Sequence, residues 1–222
     1  DNRLLTAEDA FKEAIKLDPR MVQPLLGLAD VELRRGAGEQ AKTWLDKALA
    51  IASNDDTVQH ALGLFAACGK DDAAAEAALK KAIDINPNNL AARNALGGLY
   101  AGAMQRPADA VSVYRTAIEA DPKQLEARLG LAQALAATGQ FSMAETELAA
   151  AGKAHPDSPF PPHLLGRIHL SRGARDAATA ALDAALKIQP AFVPALLDKG
   201  DVLLGAGKVE EALALYDRAV AT

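Results

Sequence analysis

Cysteine is almost absent from this chain. Cys68 stands alone, which excludes an internal disulfide and any site built from several cysteine ligands. Aromatic residues are scarce as well, with one Trp, three Tyr and five Phe among 222 residues. No basic excess exists: 24 Lys and Arg face 29 Asp and Glu, a formal charge of -5. That balance argues against an extended nucleic-acid surface, which needs a basic stripe. No run approaches the eighteen or so continuous apolar residues of a membrane span, so direct membrane insertion is not expected. Proline and glycine are neither dense enough for a disordered linker nor periodic enough for a collagen-like chain. The chain opens on Asp1 with neither a Met nor a visible signal peptide. It is expected to be a segment of a longer protein whose compartment, cytoplasm or bacterial periplasm, stays open.

Alanine is abundant, at 51 residues, and half of the chain is hydrophobic. Helices packed closely through small side chains follow from that composition. The dominant signal is internal repetition. Prolines close helical runs at Pro19, Pro87, Pro122, Pro156 and Pro190, at intervals of 68, 35, 34 and 34. The first interval is twice 34, and Ser53 occupies the skipped position. A fixed period of this size marks a solenoid.

Each period reads as two amphipathic helices. In residues 125–156, Leu125, Leu129, Ala132 and Leu135 recur at helical spacing before Gly139-Gln140 breaks the run. Ala144, Leu148 and Ala151 then carry a second helix to His155-Pro156. Glycine suits the tight turn because it tolerates positive φ, and proline cannot continue a helix. Small residues recur where the helices must approach, as in Ala29/Ala41/Ala48, Gly63/Ala75/Ala82 and Gly166/Ala178/Ala185. One such pair cannot bury both of its apolar faces alone, so stacking completes the core.

Chemistry is hard to find. Gly36-Ala37-Gly38 and Gly205-Ala206-Gly207 lack both the preceding strand and the Lys-Ser/Thr of a phosphate loop, and fall at repeat turns. His163 and His169 are six apart, on opposed faces of a helix rather than adjacent ones. His60 precedes Cys68 by eight residues, about 12 Å along a helix, too far for a nucleophile and its base. Asp55-Asp56, Asp71-Asp72 and Glu210-Glu211 read as helix caps and dipole partners. No enzyme activity, metal or cofactor is expected.

Ala95-Leu96-Gly97-Gly98-Leu99-Tyr100, followed by Ala110, Tyr114, Ala117 and Asp121-Pro122, resembles the tetratricopeptide repeat family. So does Leu196 to Gly200 followed by Ala212, Tyr216 and Ala219. The resemblance covers the whole chain as one domain of residues 1–222: a half-repeat at 1–21, then repeats at 22–55, 56–89, 90–124, 125–158, 159–192 and 193–222. It implies an all-α solenoid of thirteen helices in antiparallel hairpins, wound as a right-handed superhelix. An extra residue between Met104 and Pro107 should lengthen the third turn, and the early Gly69 should make the second irregular. Neither end carries a polar capping helix, so the ends are expected to continue into further repeats or to meet a partner.

The resemblance also implies a function: a non-enzymatic scaffold that binds a peptide or helix in a concave groove lined by the first helix of each pair. Helical phase assigns to that groove Leu26, Asp30 and Arg34, then His60 and Leu64, then Asn94 and Gly98. Leu129 and Gln133, His163 and Arg167, and Leu197 and Asp201 complete the set. The Lys/Arg and Asn cluster with which some members clamp a C-terminal carboxylate is missing, so an apolar helix or extended segment is the expected partner. Arg34 and Arg167 would steer it. Phe160, among Pro159, Pro161 and Pro162, reads either as packed on the preceding turn or as an exposed aromatic anchor. Two alternatives stay open: a periplasmic segment of a bacterial polysaccharide-export or secretion apparatus, and a repeat domain attached to an enzyme such as a transferase.

Overall fold

The computed structural model describes residues 2–221, with side chains from residue 6 onward. Among these residues the chain is helical with no strand. The helices are α1 (Asn2–Leu17), α2 (Val22–Arg34), α3 (Gly38–Ile51), α4 (Asp56–Cys68), α5 (Asp72–Ile85), α6 (Leu90–Ala101), α7 (Pro107–Ala120), α8 (Leu125–Ala137), α9 (Phe141–Ala154), α10 (Phe160–Ser171), α11 (Arg175–Ile188), α12 (Val193–Gly205) and α13 (Val209–Val220).

The chain divides into two compact units, residues 1–105 and 106–222. In the first, α2 packs on α3 and α4 on α5, and α2, α4 and α6 touch in succession. In the second, α8 packs on α9, α10 on α11 and α12 on α13, and α8, α10 and α12 touch in succession. Each unit therefore stacks helical hairpins, with the first helices of the hairpins side by side.

Small residues set the packing. Ala41, Ala48, Ala75, Ala82, Ala144, Ala151, Ala178 and Ala185 are completely buried. Between them Leu28, Leu45, Leu79 and Leu182 fill the space and are themselves buried. A methyl group added at Gly63 would stand 2.6 Å from Leu79 Cγ, so glycine is what lets α4 approach α5. Three further glycines receive an aromatic ring: Gly27 of α2 faces Phe11 of α1, Gly130 of α8 faces Tyr114 of α7, and Gly200 of α12 faces Tyr216 of α13.

Most hairpin turns share one closure. Gly36, Gly139, Gly173 and Gly207 hold φ between +74° and +77°. The following amide reaches back five residues, as in Ala37 N–H to Glu32 O at 2.9 Å and Gln140 N–H to Leu135 O at 2.8 Å. The second hairpin makes the same bond, Asp71 N–H to Ala66 O at 2.9 Å. Its glycine is one place early, so Lys70 takes the left-handed position at φ +60°. This is the irregularity expected at Gly69, and its cause is steric, because a Cβ crowds the carbonyl in that region. Replacing Lys70 with Gly should remove the clash and stabilise the chain by about 0.5–1 kcal/mol, after the larger unfolded-state entropy of glycine is subtracted. An unchanged or lower urea midpoint would show that Lys70 is unstrained. The third turn is longer, as expected: residues 102–106 separate α6 from α7, against 35–37 and 69–71 in the two turns before it.

Caps appear where acids precede helices. The Asp55 carboxylate accepts from the Thr57 and Val58 amides, and Asp71 from the Ala74 amide. The Thr57 hydroxyl, foremost, and these amides hold the Asp55 carboxyl below the usual carboxylate range against the opposing effect of burial. Its contribution to stability is present above the unfolded carboxyl pKa and is lost as pH falls through the folded one. Asp56 has a further task beyond its place in the first turn. Its Oδ2 accepts from Asn86 and from Asn89, each at 2.8 Å, tying the start of α4 to the turn that follows α5.

Candidate functional site

Positions thirty-four residues apart lie side by side on neighbouring first helices, so the predicted groove residues fall into rows within each unit. In the first unit, Leu26, His60 and Asn94 form one row on α2, α4 and α6, and Asp30, Leu64 and Gly98 the next. Leu26 is half-buried against the Leu25, Ala48 and Val58 core. His60 is half-buried, and burial pushes its imidazole pKa down, against the pull of Asp56. Leu64 and Gly98 are exposed. Asn94 is half-buried, with its Oδ1 enclosed and without a hydrogen-bond partner. Asp30 and Arg34 are exposed and held to each other at 2.7 Å.

In the second unit, Leu129, His163 and Leu197 form one row on α8, α10 and α12, and Gln133, Arg167 and Asp201 the next. Leu129 is half-buried, whereas Gln133, Arg167, Leu197 and Asp201 are exposed. His163 donates Nε2–H to Asp198 at 2.8 Å, a bond from α10 to α12. The Tyr216 hydroxyl donates to Asp201 at 2.7 Å, and that hydrogen bond keeps the phenol protonated to higher pH than usual. Phe160 begins α10 and is half exposed, its ring meeting Phe192 edge-on at 5.1 Å. Phe192 lies in the turn before α12, so Phe160 packs on the following turn.

The sequence treats Arg34 and Arg167 alike, as two steering cations. The structure separates them: Arg34 is neutralised by Asp30 one turn away, while Arg167 meets no carboxylate among the described residues. Asp30 and Arg34 are four apart, the spacing of a helical ion pair, so this pairing was open to a sequence reading.

Among the described residues no group of three His, Cys, Asp or Glu is placed to hold a metal. Cys68 lines a pocket of about 320 Å³ with Leu33, Phe65 and Glu39 near the ends of α2 and α4. No described helix is long and apolar enough to cross a membrane.

Stacked helical hairpins of this period, with small residues at their contacts and first helices side by side within each unit, define a repeat solenoid. Matches to the tetratricopeptide repeat family cover residues 1–64 and 103–160, 163–222 and 58–89. The chain belongs to the tetratricopeptide repeat family. Members bind protein or peptide partners and are generally non-catalytic scaffolds. No curated protein matches it in sequence. Among solved structures it resembles PilW, a widely conserved type IV pilus biogenesis factor, at 21% identity and a TM-score of 0.74 over 90% of this chain and 93% of that one. It resembles YrrB, a tetratricopeptide repeat protein with an unusual peptide-binding site, at 24% identity and a TM-score of 0.60, over 85% and 97%. A tetratricopeptide repeat protein from Parabacteroides merdae matches at 18% identity and a TM-score of 0.77, over 98% and 86%. Likenesses at these identities speak to the fold alone.

Proposed function

We propose that this chain is a scaffold that catalyses nothing itself and binds a protein partner, as a peptide or a helix, on the faces of its first helices. Those faces are α2, α4 and α6 in the first unit and α8, α10 and α12 in the second. One observation carries the reading: large apolar side chains stay exposed on them. Leu64 is 42% exposed, Leu197 43% and Phe160 49%. Single exposed leucines are ordinary, but Phe160 and Leu197 sit on adjacent helices of one face. Covering them with an apolar partner removes that surface from water at about 25 cal/mol per Å². Small neighbours such as Gly98 and Ala137 permit a close backbone approach, and Gln133 offers both a donor and an acceptor to a peptide backbone.

The test begins with a partner recovered by affinity pull-down on the whole chain. That partner is then titrated against the parent, Leu64→Glu and Leu197→Glu at low and high salt. Both leucines are exposed, so helicity should be retained, whereas half-buried Leu129 is a poorer probe. The variant whose unit carries the site should lose about tenfold or more in affinity, since it sets a desolvated carboxylate against an apolar partner. Parent affinity should depend only weakly on salt. Equal affinity for all three proteins, with unchanged helicity, would place binding elsewhere.

A further inference from the structure

We infer that the outer face of α13 is a second docking surface, and that its occupant is a basic amphipathic helix of a partner protein. The first-helix faces of the proposed function take no part in it. Val209, Leu213, Tyr216 and Val220 recur at intervals of 4, 3 and 4, one apolar stripe along α13. Leu213 is 54% exposed and Val220 88%, and Tyr216 is half-buried. The corresponding stripe on α11, thirty-four residues earlier, is Arg175, Thr179, Leu182 and Leu186, and there α12 packs over it. Leu182 is completely buried with Phe192 and Ala195, and Leu186 packs against the same cluster. Arg175 and Thr179 line one cleft with Val202 and Leu203 of α12. The covered face of α11 thus shows what the open face of α13 is shaped to take: a helix with small and apolar residues along one side.

Charge selects among such helices. Asp183, beside the α11 stripe, is paired with Lys199 of α12 at 2.5 Å. Its counterpart on α13, Asp217, is exposed and meets no Lys or Arg among the described residues. Glu210, seven residues earlier on the same side of the stripe, is exposed and equally unpaired among them. Asp201 adds a third carboxylate at the Tyr216 hydroxyl. The cations of α13 and its start lie elsewhere. Lys208 pairs with Glu211 at 3.4 Å, and Arg218, about 200° around the helix from Tyr216, donates to Pro190 O at 2.9 Å. The rim of the stripe is therefore acidic, and a Lys or Arg on the occupant would stand to Asp217 as Lys199 stands to Asp183. A second copy of this chain fits less well. In an antiparallel pair of α13 helices, Glu210 and Asp217 of one copy would face the same two acids of the other across the seam.

The experiment titrates the whole chain with three synthetic helical peptides of about twenty residues. They share one Leu/Ala face and differ only in the residues that flank it: Lys, Gln or Glu. The parent should bind the Lys peptide about tenfold more tightly than the Glu peptide, with the Gln peptide between, and the spread should narrow at high salt. Asp217→Lys should invert the order. Leu213→Gln should weaken all three by about tenfold or more, because the apolar contact at the middle of the stripe is lost. Leu213, Leu197 and Asp217 are exposed, so circular dichroism should not change in any variant. Failure of every peptide to bind, equal affinity for the Lys and Glu peptides, or an order indifferent to Asp217→Lys overturns the inference. Binding lost in Leu197→Gln and kept in Leu213→Gln also overturns it, while leaving the proposed function in place. A dimer of the parent in sedimentation that Leu213→Gln dissolves would give the face to a second copy and overturn it as well.

Discussion

Leu182→Ala should cost about 2–5 kcal/mol of unfolding free energy, the largest loss expected from a single side chain here. Leu182 is completely buried on α11 and belongs to a cluster with Ala185, Phe192 and Ala195, with Leu186 and Val202 packed around it. It also fills the space above Gly166, where an added methyl group would stand 2.9 Å from its Cγ. It therefore joins α10, α11 and α12. What decides the magnitude is whether the site can collapse once the side chain is gone. Ala185, Ala195 and Gly166 have no rotatable side chain to swing inward, so only Phe192, Leu186 and Val202 can relax into the cavity and part of it should persist. Leu182→Met nearly conserves volume and should cost less than about 1.5 kcal/mol. Urea unfolding of the parent and both variants checks this. A loss below about 1 kcal/mol for Leu182→Ala, with an unchanged m-value, would mean that this contact is not a seat of stability.

That the hairpins could be read from the sequence follows from the same economy of side chains. With few aromatics, the contact positions are held by alanine, glycine and leucine at a fixed period, and thirteen helices emerge among the described residues. The caps at Asp55 and Asp71 were equally legible, since an acid before a helical run has one local use. Contacts that span hairpins were less so. Asp56 reads as a first-turn acid, yet its carboxylate gathers Asn86 and Asn89 from thirty residues away. The hint was the Asn86-Pro87-Asn88-Asn89 run lying about one period after Asp56. Phe160 offered two readings by sequence, packed on the preceding turn or exposed, and the structure shows a ring that meets Phe192 of the following turn edge-on while the residue stays 49% exposed. The groove rows follow from helical phase, but phase is blind to charge pairing. It made Arg34 and Arg167 equivalent, and only the positions of neighbouring carboxylates set them apart.

Gly63→Ala and Gly152→Ala, the same substitution in two helices, should move stability in opposite directions. In an exposed helix interior, alanine is favoured over glycine by about 0.5–1 kcal/mol, because it loses less backbone entropy on folding. At Gly152 of α9 nothing opposes that gain, since the nearest atom to an added Cβ is Pro161 Cβ at 3.9 Å, an ordinary contact. At Gly63 of α4 the new methyl group would lie 2.6 Å from Leu79 Cγ and 2.8 Å from its Cδ2. Leu79 is 1% exposed and has no free space to enter. Either its rotamer must break or α4 must lift from α5, an overpacking cost of about 1–3 kcal/mol that outweighs the propensity gain. The corresponding pair one hairpin earlier is Ala29 with Leu45, both buried, so the fold itself accommodates alanine there when the helices are built around it. The obstacle at Gly63 is therefore local and belongs to Leu79. Combining Gly63→Ala with Leu79→Ala should then cost clearly less than the sum of the two single changes, because the added methyl group enters the space the leucine vacates. Urea midpoints for the four variants decide the matter. A stabilised Gly63→Ala, or a double variant whose loss is strictly additive, would show that α4 and α5 are not in the close contact that glycine permits.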